Sequence, residues 1–251
     1  NNTLIGGLAG DAITTGGSNT AVGAYSMTTL TTGANNVAVG TSALDIATTG
    51  SSNTAIGRDA LGANTTASNN TAVGYRAGYV ITTGAENVAI GANALDANTT
   101  GASNVAVGQG SLDTNTTGGQ NTAVGHDSMK LNTTGVENAA LGKGSLNANT
   151  EGDYNTAVGR SALGGNTTAD SNTAVGYHAL VDNTTGAKNT AVGRYAGANT
   201  TTASNNTILG ADAFFTNTTG ASNTAVGMGS LNANTTASHN TAVGFQAAYS
   251  N

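Results

Sequence analysis

The chain has 251 residues, of which 37 are Gly, 8% are charged and 4% are aromatic, and it contains no Pro, Cys or Trp. Its formal net charge of −6 argues against nucleic-acid binding, which needs a basic surface. Without Cys, disulfides and thiolate metal sites are excluded. No apolar run approaches the roughly 18 residues of a membrane span, so we expect no membrane insertion.

A short Asn-Thr-Ala-Val-Gly motif recurs along the whole chain at every 17th position, in fifteen copies without insertion. Equal intervals predict that each copy occupies an equivalent structural position, and the fixed apolar residues argue against disorder. We interpret residues 1–251 as one continuous repeat array and as a segment of a longer fibre. The first Asn of the motif falls at Asn2, Asn19, Asn36, Asn53, Asn70, Asn87, Asn104, Asn121, Asn138, Asn155, Asn172, Asn189, Asn206, Asn223 and Asn240.

Numbering the unit 1 to 17 from that Asn separates its structural positions. Positions 1 to 4 alternate in a way that predicts a strand, with positions 2 and 4 on one face. The fixed Gly at position 5 predicts a corner with positive φ or a close backbone approach. Position 9 is mostly Leu or Met. The segment Asn98 to Gly101, at positions 12 to 15, predicts a second short strand that runs into a turn.

These features predict an all-β fold, a parallel β-solenoid (β-roll) of fifteen coils of 17 residues. Adjacent coils of such a fold stack about 4.8 Å apart, so identical residues form ladders. Buried Asn side chains are expected to bond along the stack and to satisfy corner backbone groups. The ladder residues include Asn36, Asn53 and Asn70, the corner glycines Gly40, Gly57 and Gly74, and Thr48, Thr65 and Thr82.

Positions 6, 7 and 10 vary and carry most of the aromatic and basic residues. Because equivalent positions of neighbouring coils lie close together, Arg and Tyr side chains on successive coils are expected to cluster. Such patches are common on recognition surfaces, so we predict binding of a glycan or another partner here. The alternatives are ordinary surface residues or packing between subunits. The candidate binding residues are Arg58, Tyr75, Arg76, Arg160, Tyr177, His178 and Tyr195.

No group of residues predicts catalysis, a metal site or a cofactor. His126, His178 and His239 occupy variable positions on coils several steps apart, which does not suit a metal site with converging ligands. Asp96 and Asp113 share position 10 on adjacent coils. We interpret them as surface charges, because no cleft or base accompanies them.

Each coil contributes few large apolar side chains, which is little for an isolated solenoid. Closed cyclic symmetry is the common solution for homo-oligomers, and a parallel bundle of three copies would bury the apolar faces along one axis. The sequence indicates that apolar surface remains to be buried between copies, but it does not specify that there are three copies. We therefore expect the chain to be its own partner, as a homotrimer or by end-to-end stacking.

The unit Asn-Thr-Ala-Val-Gly-x-x-Ala-Leu-x-x-Asn-Thr-Thr-Gly, seen at residues 223–227 and 94–101, resembles repeats in phage tail fibres and bacterial surface fibres. Its core is also similar to the head repeats of trimeric autotransporter adhesins, although their unit is shorter. The resemblance covers essentially the whole chain. It implies a parallel β-roll, a homotrimer and attachment to a surface or host receptor, hence an extracellular, cell-surface or virion location.

The leading interpretation is a non-catalytic structural fibre or adhesin rod. A self-stacking extracellular filament is the first alternative. An ice-binding solenoid is the second, suggested by the Thr rows. Thr residues at positions 13 and 14 are adjacent and would point to opposite faces of a strand, so they do not supply two columns on one flat face.

Overall fold

The computed structural model describes residues 1–250, which contain fifteen three-residue strands and no helix. The chain divides into two compact units, residues 1–121 and a second unit that begins at Thr122, and each is a stack of coils. The first unit contains β1 (Thr3–Ile5), β2 (Thr20–Val22), β3 (Val37–Val39), β4 (Thr54–Ile56), β5 (Thr71–Val73), β6 (Val88–Ile90) and β7 (Val105–Val107). The second contains β8 (Thr122–Val124), β9 (Ala139–Leu141), β10 (Thr156–Val158), β11 (Thr173–Val175), β12 (Thr190–Val192), β13 (Thr207–Leu209), β14 (Thr224–Val226) and β15 (Thr241–Val243).

Within each unit, successive strands pair in parallel and in register. Thr54 lies opposite Thr71 in the first unit, and Thr156 lies opposite Thr173 in the second. Every pair therefore joins residues 17 positions apart, which are equivalent positions of the repeat. The predicted parallel β-solenoid with coils of 17 residues is confirmed.

The interior of each coil is made largely of small residues and one larger apolar side chain. The middle residue of every strand from β2 to β15, usually Ala as in Ala55 and Ala174, points inward and is buried. The side chain at position 9, such as Leu44 or Leu163, fills the remaining core. Positions 2 and 4 share the outer face, as predicted, and their Thr, Val and Ile side chains stay at least partly exposed.

The Asn at position 1 forms the predicted buried ladder. The backbone N–H of Asn53 donates to Oδ1 of Asn36 at 2.9 Å, and its Nδ2 donates to the carbonyl of Ala67, also at 2.9 Å. The same arrangement joins Asn155 to Asn138 in the second unit. One side chain thus satisfies a backbone donor of the next coil and a carbonyl of its own coil, which explains why no other residue replaces it.

The Gly at position 5 has both features expected from the sequence. Gly57 has a φ of +130°, and a Cβ atom placed on it would lie 2.5 Å from the carbonyl oxygen of Gly74. A side chain at this corner would therefore collide with the backbone of the next coil as well as strain its own.

The predicted second strand at positions 12 to 15 is wrong. These residues form bends, in which the backbone N–H groups of Thr31 and Thr32 both donate to the carbonyl of Thr48. A strand ladder needs donors that alternate between partners, whereas two successive donors on one carbonyl turn the chain. The Thr row nevertheless bonds along the stack, since the hydroxyl of Thr48 also donates to the carbonyl of Thr65 at 3.1 Å.

Three further positions of the coil, 7, 9 and 17, adopt a left-handed conformation without being Gly in most copies. Their φ values lie between +48° and +63°, as at Ser42, Leu44 and Asn35. Bulky residues seldom adopt this conformation because their Cβ approaches the following carbonyl. Here each of the three residues directs its N–H to a neighbouring coil, so stacking compensates for the unfavourable backbone geometry.

Where position 9 is Gly, other side chains occupy the space. A Cβ atom on Gly78 would lie 2.9 Å from Cδ1 of Ile81 and 3.0 Å from Cδ2 of Leu61. A Cβ atom on Gly197 would lie 2.7 Å from Cδ1 of Ile208, which belongs to the following coil. Ile208 stands where nearly all other coils have Ala, so the core volume is conserved through an exchange between coils.

A second buried Asn ladder forms at position 12. Nδ2 of Asn115 donates to Oδ1 of Asn98 at 2.9 Å, and Nδ2 of Asn149 donates to Oδ1 of Asn132 at 2.8 Å. Asn64 has no such neighbour, because the equivalent residues of the adjacent coils are Ala and Ile. Both polar atoms of its fully buried side chain lack a hydrogen-bond partner.

We expect Asn64→Leu to stabilise the protein. A buried amide without partners costs about 1–3 kcal/mol, and Leu has nearly the same shape and already stands at the equivalent position as Leu30. The free energy of unfolding, measured by urea denaturation, should rise by a similar amount.

The matched control is Asn98→Leu, at the same position of another coil. It removes the hydrogen bonds from Asn98 to Gly101 and from Asn115 to Asn98, so it should lower the free energy of unfolding. Equal destabilisation by both substitutions would contradict the assignment of Asn64 as an unsatisfied amide.

Candidate binding surface

The surface at positions 6, 7 and 10 is built on turns whose backbone is fixed by stacking. Position 10 of one coil reaches position 7 of the coil before it. Nδ2 of Asn147 donates to the carbonyl of Asp127, and Nδ2 of Asn232 donates to that of Asp212, both at 2.8 Å. Side chains from successive coils therefore meet at this edge, although they are 20 residues apart in sequence.

In the first unit, the predicted residues Arg58, Tyr75 and Arg76 lie together. The guanidinium of Arg58 is 5.9 Å from the ring centre of Tyr75, and that of Arg76 is 4.5 Å from the ring centre of Tyr79. Arg76 also pairs with Asp96 at 3.1 Å. We call Arg58, Tyr75, Arg76 and Tyr79 the arginine–tyrosine patch.

Carboxylates next to this patch are partly withdrawn from water. Burial raises the pKa of Asp96, and the positive charge of Arg76 opposes this effect. Burial also raises the pKa of Asp45, and the negative charge of Asp59 adds to it. Asp96, considered above as half of a carboxylate pair with Asp113, is engaged by an arginine.

In the second unit, the structure brings the other predicted residues together. The rings of Tyr177 and His178 stack with centroids 4.1 Å apart, and the ring of Tyr195 meets Tyr177 edge-on at 5.3 Å. The guanidinium of Arg160 lies 5.9 Å from the centre of the Tyr177 ring. Phe215 extends the group, with its ring centroid 6.1 Å from that of Tyr195.

We call Tyr177, His178, Tyr195 and Phe215 the aromatic cluster. Phe215 was not among the predicted binding residues, since it stands at position 10 and the contact from position 10 to position 7 of the preceding coil is not evident from spacing alone. The available signal was the presence of aromatic residues at both positions on consecutive coils, Tyr195 and Phe215. The binding role of the cluster stays a prediction.

Each unit has a groove lined mainly by residues at positions 7 and 10. The first, of about 210 Å³, is lined by Ser42, Asp45, Ile46, Asp59, Gly62, Ala63 and Tyr79. The second, of about 310 Å³, is lined by Asp212, Phe215, Met228, Gly229, Asn232, Gln246 and Tyr249. The first groove shares Tyr79 with the arginine–tyrosine patch, and the second shares Phe215 with the aromatic cluster.

The ladder residues lie elsewhere and have structural roles. Asn36, Asn53 and Asn70 are buried, and the hydroxyls of Thr48, Thr65 and Thr82 bond to the adjacent coil. Among residues 1–250, no group of three or more His, Asp or Glu side chains could hold a metal ion. No helix in the described part of the chain is long and apolar enough to cross a membrane.

Comparisons with protein-family models, with curated proteins and with solved structures give no significant match to this chain.

The aromatic cluster makes one prediction about titration. A hydrogen bond with Tyr177 raises the pKa of Tyr195 above its ordinary value. Tyr177→Phe removes this bond and should lower the pKa of Tyr195, as followed by the chemical shift of its ring carbons in a ¹³C-tyrosine sample. Tyr25→Phe, on a distant coil, is the control and should leave Tyr195 unchanged. An unaltered titration in Tyr177→Phe would contradict the contact.

Proposed function

We propose that this chain is a non-catalytic structural segment of a surface or virion fibre that attaches through the aromatic cluster. The carrying observation is that Tyr177, His178, Tyr195 and Phe215 converge from three consecutive coils although they vary in an otherwise regular repeat. Tyr177 is exposed and the other three are half-buried. Aromatic residues held in this way on a rigid backbone lose little conformational freedom on binding, which favours recognition.

The resemblance to repeats of phage tail fibres, bacterial surface fibres and adhesin heads supports this proposal. Regular coils of 17 residues suit a structural element that displays variable side chains at fixed spacing. The same proposal gives the chain an extracellular, cell-surface or virion location and a cell-surface glycan or receptor as partner.

We further propose that copies of the chain associate through the outer face of the strands, as a homotrimer. Position 4 presents a row of aliphatic side chains on this face, and several are exposed, among them Ile56 at 40% and Ile90 at 39%. Parallel sheets are usually covered on both faces, so a bare row of Ile, Val and Leu favours a second layer. We infer that the partner is a second copy of the chain, because the aliphatic side chains at position 4 have the same spacing in every copy.

The attachment proposal is tested with Tyr177→Ser and Tyr195→Ser. A panel of bacterial and animal cells is first screened for a cell type that binds the labelled protein. Both substitutions should abolish adhesion to these cells, because they disrupt the aromatic cluster. Tyr75→Ser tests the arginine–tyrosine patch in the same way. The melting temperatures of the Tyr75→Ser and Tyr177→Ser variants should not change, since both residues are exposed and outside the ladders.

Tyr154→Ser is the matched control, because Tyr154 is 55% exposed but lies at position 17. It should leave adhesion intact. Full adhesion by the Tyr177→Ser and Tyr195→Ser variants would overturn the role of the cluster.

The oligomer proposal is tested by light scattering, with negative-stain images of the same sample. We expect the mass of three chains, and Ile56→Asp with Ile90→Asp should reduce it to one because charge on the outer face opposes burial. Thr66→Asp with Thr100→Asp, on an exposed bend, is the control and should leave the mass unchanged. A wild-type monomer would contradict the trimer, and unbounded filaments would favour the end-to-end alternative.

Ice binding is a second candidate, favoured by one observation. Position 14 presents an exposed row of Thr on successive coils, interrupted by Glu151. The neighbouring Thr at position 13 uses its hydroxyl for the adjacent coil, as Thr65 does, so the outward row is single. A thermal-hysteresis measurement distinguishes this function from attachment.

A further inference from the structure

The two grooves are lined by similar types of residue, including residues outside the arginine–tyrosine patch and the aromatic cluster. Each is lined by an Asp at position 7, a Tyr at position 10 of another coil and a Gly that lies beside this Tyr. The Asp is held in both cases by an Arg at position 6. Arg58 pairs with Asp59 at 3.1 Å, and Arg194 pairs with Asp212 at 2.7 Å.

In the first unit, Gly62 makes room for Tyr79, which forms one wall of the groove. A Cβ atom on this residue would lie 2.8 Å from Cε2 of Tyr79 and 3.2 Å from the carbonyl oxygen of Asp59. The Tyr79 ring therefore lies directly against the backbone, with Asp45 and Asp59 beside it. The hydroxyl of Thr28 donates to the carboxylate of Asp45 and orients it.

In the second unit, Gly229 lies against Tyr249, but a side chain here would make only ordinary van der Waals contact with the ring. A Cβ atom on Gly229 would lie 3.6 Å from Cδ2 and Cε2 of Tyr249. Asn232 is fixed by its hydrogen bond to the Asp212 carbonyl, and Gln246 supplies a further amide at the rim. The groove thus has aromatic walls and several oriented donors and acceptors.

We propose that each groove binds one pyranose ring of a neutral glycan. A pyranose has an apolar C–H face that packs on an aromatic ring, and hydroxyls that both donate and accept. Apolar walls with a few oriented polar groups are the usual composition of small-ligand sites. The carboxylates of Asp45, Asp59 and Asp212 accept hydrogen bonds from sugar hydroxyls and disfavour the carboxylate of an acidic sugar. This inference rests on the proposed attachment function and gives its ligand a chemical class.

The grooves extend the two aromatic surfaces rather than replace them. Phe215 belongs both to the aromatic cluster and to the second groove, and Tyr79 belongs both to the arginine–tyrosine patch and to the first. A glycan chain with one residue in a groove can therefore place its next residues over the neighbouring rings. Single sugars should bind weakly, and longer glycans more tightly through added contacts.

The test follows backbone amide signals of the ¹⁵N-labelled protein during titration with methyl glycosides of glucose, galactose, mannose and N-acetylglucosamine. At least one should shift the amides of Ala63 and Gly229, with a dissociation constant on the order of millimolar. Glucuronate and sialic acid methyl glycosides should not shift them.

Gly62→Ala should weaken binding at the first groove at least about tenfold, equal to about 1.4 kcal/mol, because the added methyl displaces Tyr79. Tyr249→Ser should do the same at the second groove only, so each variant is the other's internal control. Gly17→Ala is a further control, since a Cβ atom there meets nothing within 4 Å.

Shifts at neither groove with any neutral glycoside, or preferential shifts with the acidic sugars, would overturn the sugar-binding inference. If adhesion is nevertheless lost in the Tyr177→Ser variant, the attachment function stands and its ligand is of another class. If the grooves bind sugar but the Tyr177→Ser and Tyr195→Ser variants adhere fully, the attachment role of the aromatic cluster is rejected and sugar binding by the grooves is retained.

Discussion

Hydrogen bonding along the stacking direction is the constraint on which the rest of this structure depends. Strands, corners and bends of each coil direct their backbone N–H groups largely to adjacent coils, so the geometry of every coil must match that of the next. The Asn at position 1 supplies what the backbone alone cannot, because its amide bonds both within the coil and between coils, as in Asn53. Gly at position 5 lets the corners approach closely enough for this stacking, as at Gly57.

The same constraint separates residues that build the scaffold from residues that are displayed. Inward positions hold small residues and one larger apolar side chain, and a change at one of them can be compensated by another side chain, as Ile208 does for Gly197. Positions 6, 7 and 10 lie on turns that the scaffold holds in place, so their side chains can vary without cost to the fold. Arg, Tyr and Asp residues on this edge acquire neighbours from other coils, and the grooves beside Tyr79 and Tyr249 arise from such neighbours.

Much of the fold followed from the sequence because the period is constant. The strand, predicted at positions 1 to 4 and found at positions 2 to 4, was predictable, as were the corner at Gly57 and the ladder at Asn53, since stacking places identical residues on one another. The prediction of a second strand was wrong. It relied on the preference of Thr for strands, whereas here two successive backbone N–H groups donate to one carbonyl, which bends the chain. The left-handed residues gave no signal, because Leu44 is a residue type that normally avoids this conformation. The candidate residues did cluster, but Phe215 and the grooves depend on side-chain contacts between positions 10 and 7, which periodicity does not specify.

Chains made of nearly identical coils face a problem of correct alignment during folding. A displacement of a whole coil places Asn on Asn, Gly on Gly and Thr on Thr, so most hydrogen bonds would form equally well in the wrong arrangement. The exchange of volume between Gly197 and Ile208 breaks this equivalence, because Ile208 fits only beside the coil that lacks a side chain at position 9. Displacement by one coil would leave a void at Gly197 and crowd Ile208 against a larger neighbour. Departures from the consensus in the core therefore act as alignment marks that distinguish the native stack from its displaced copies.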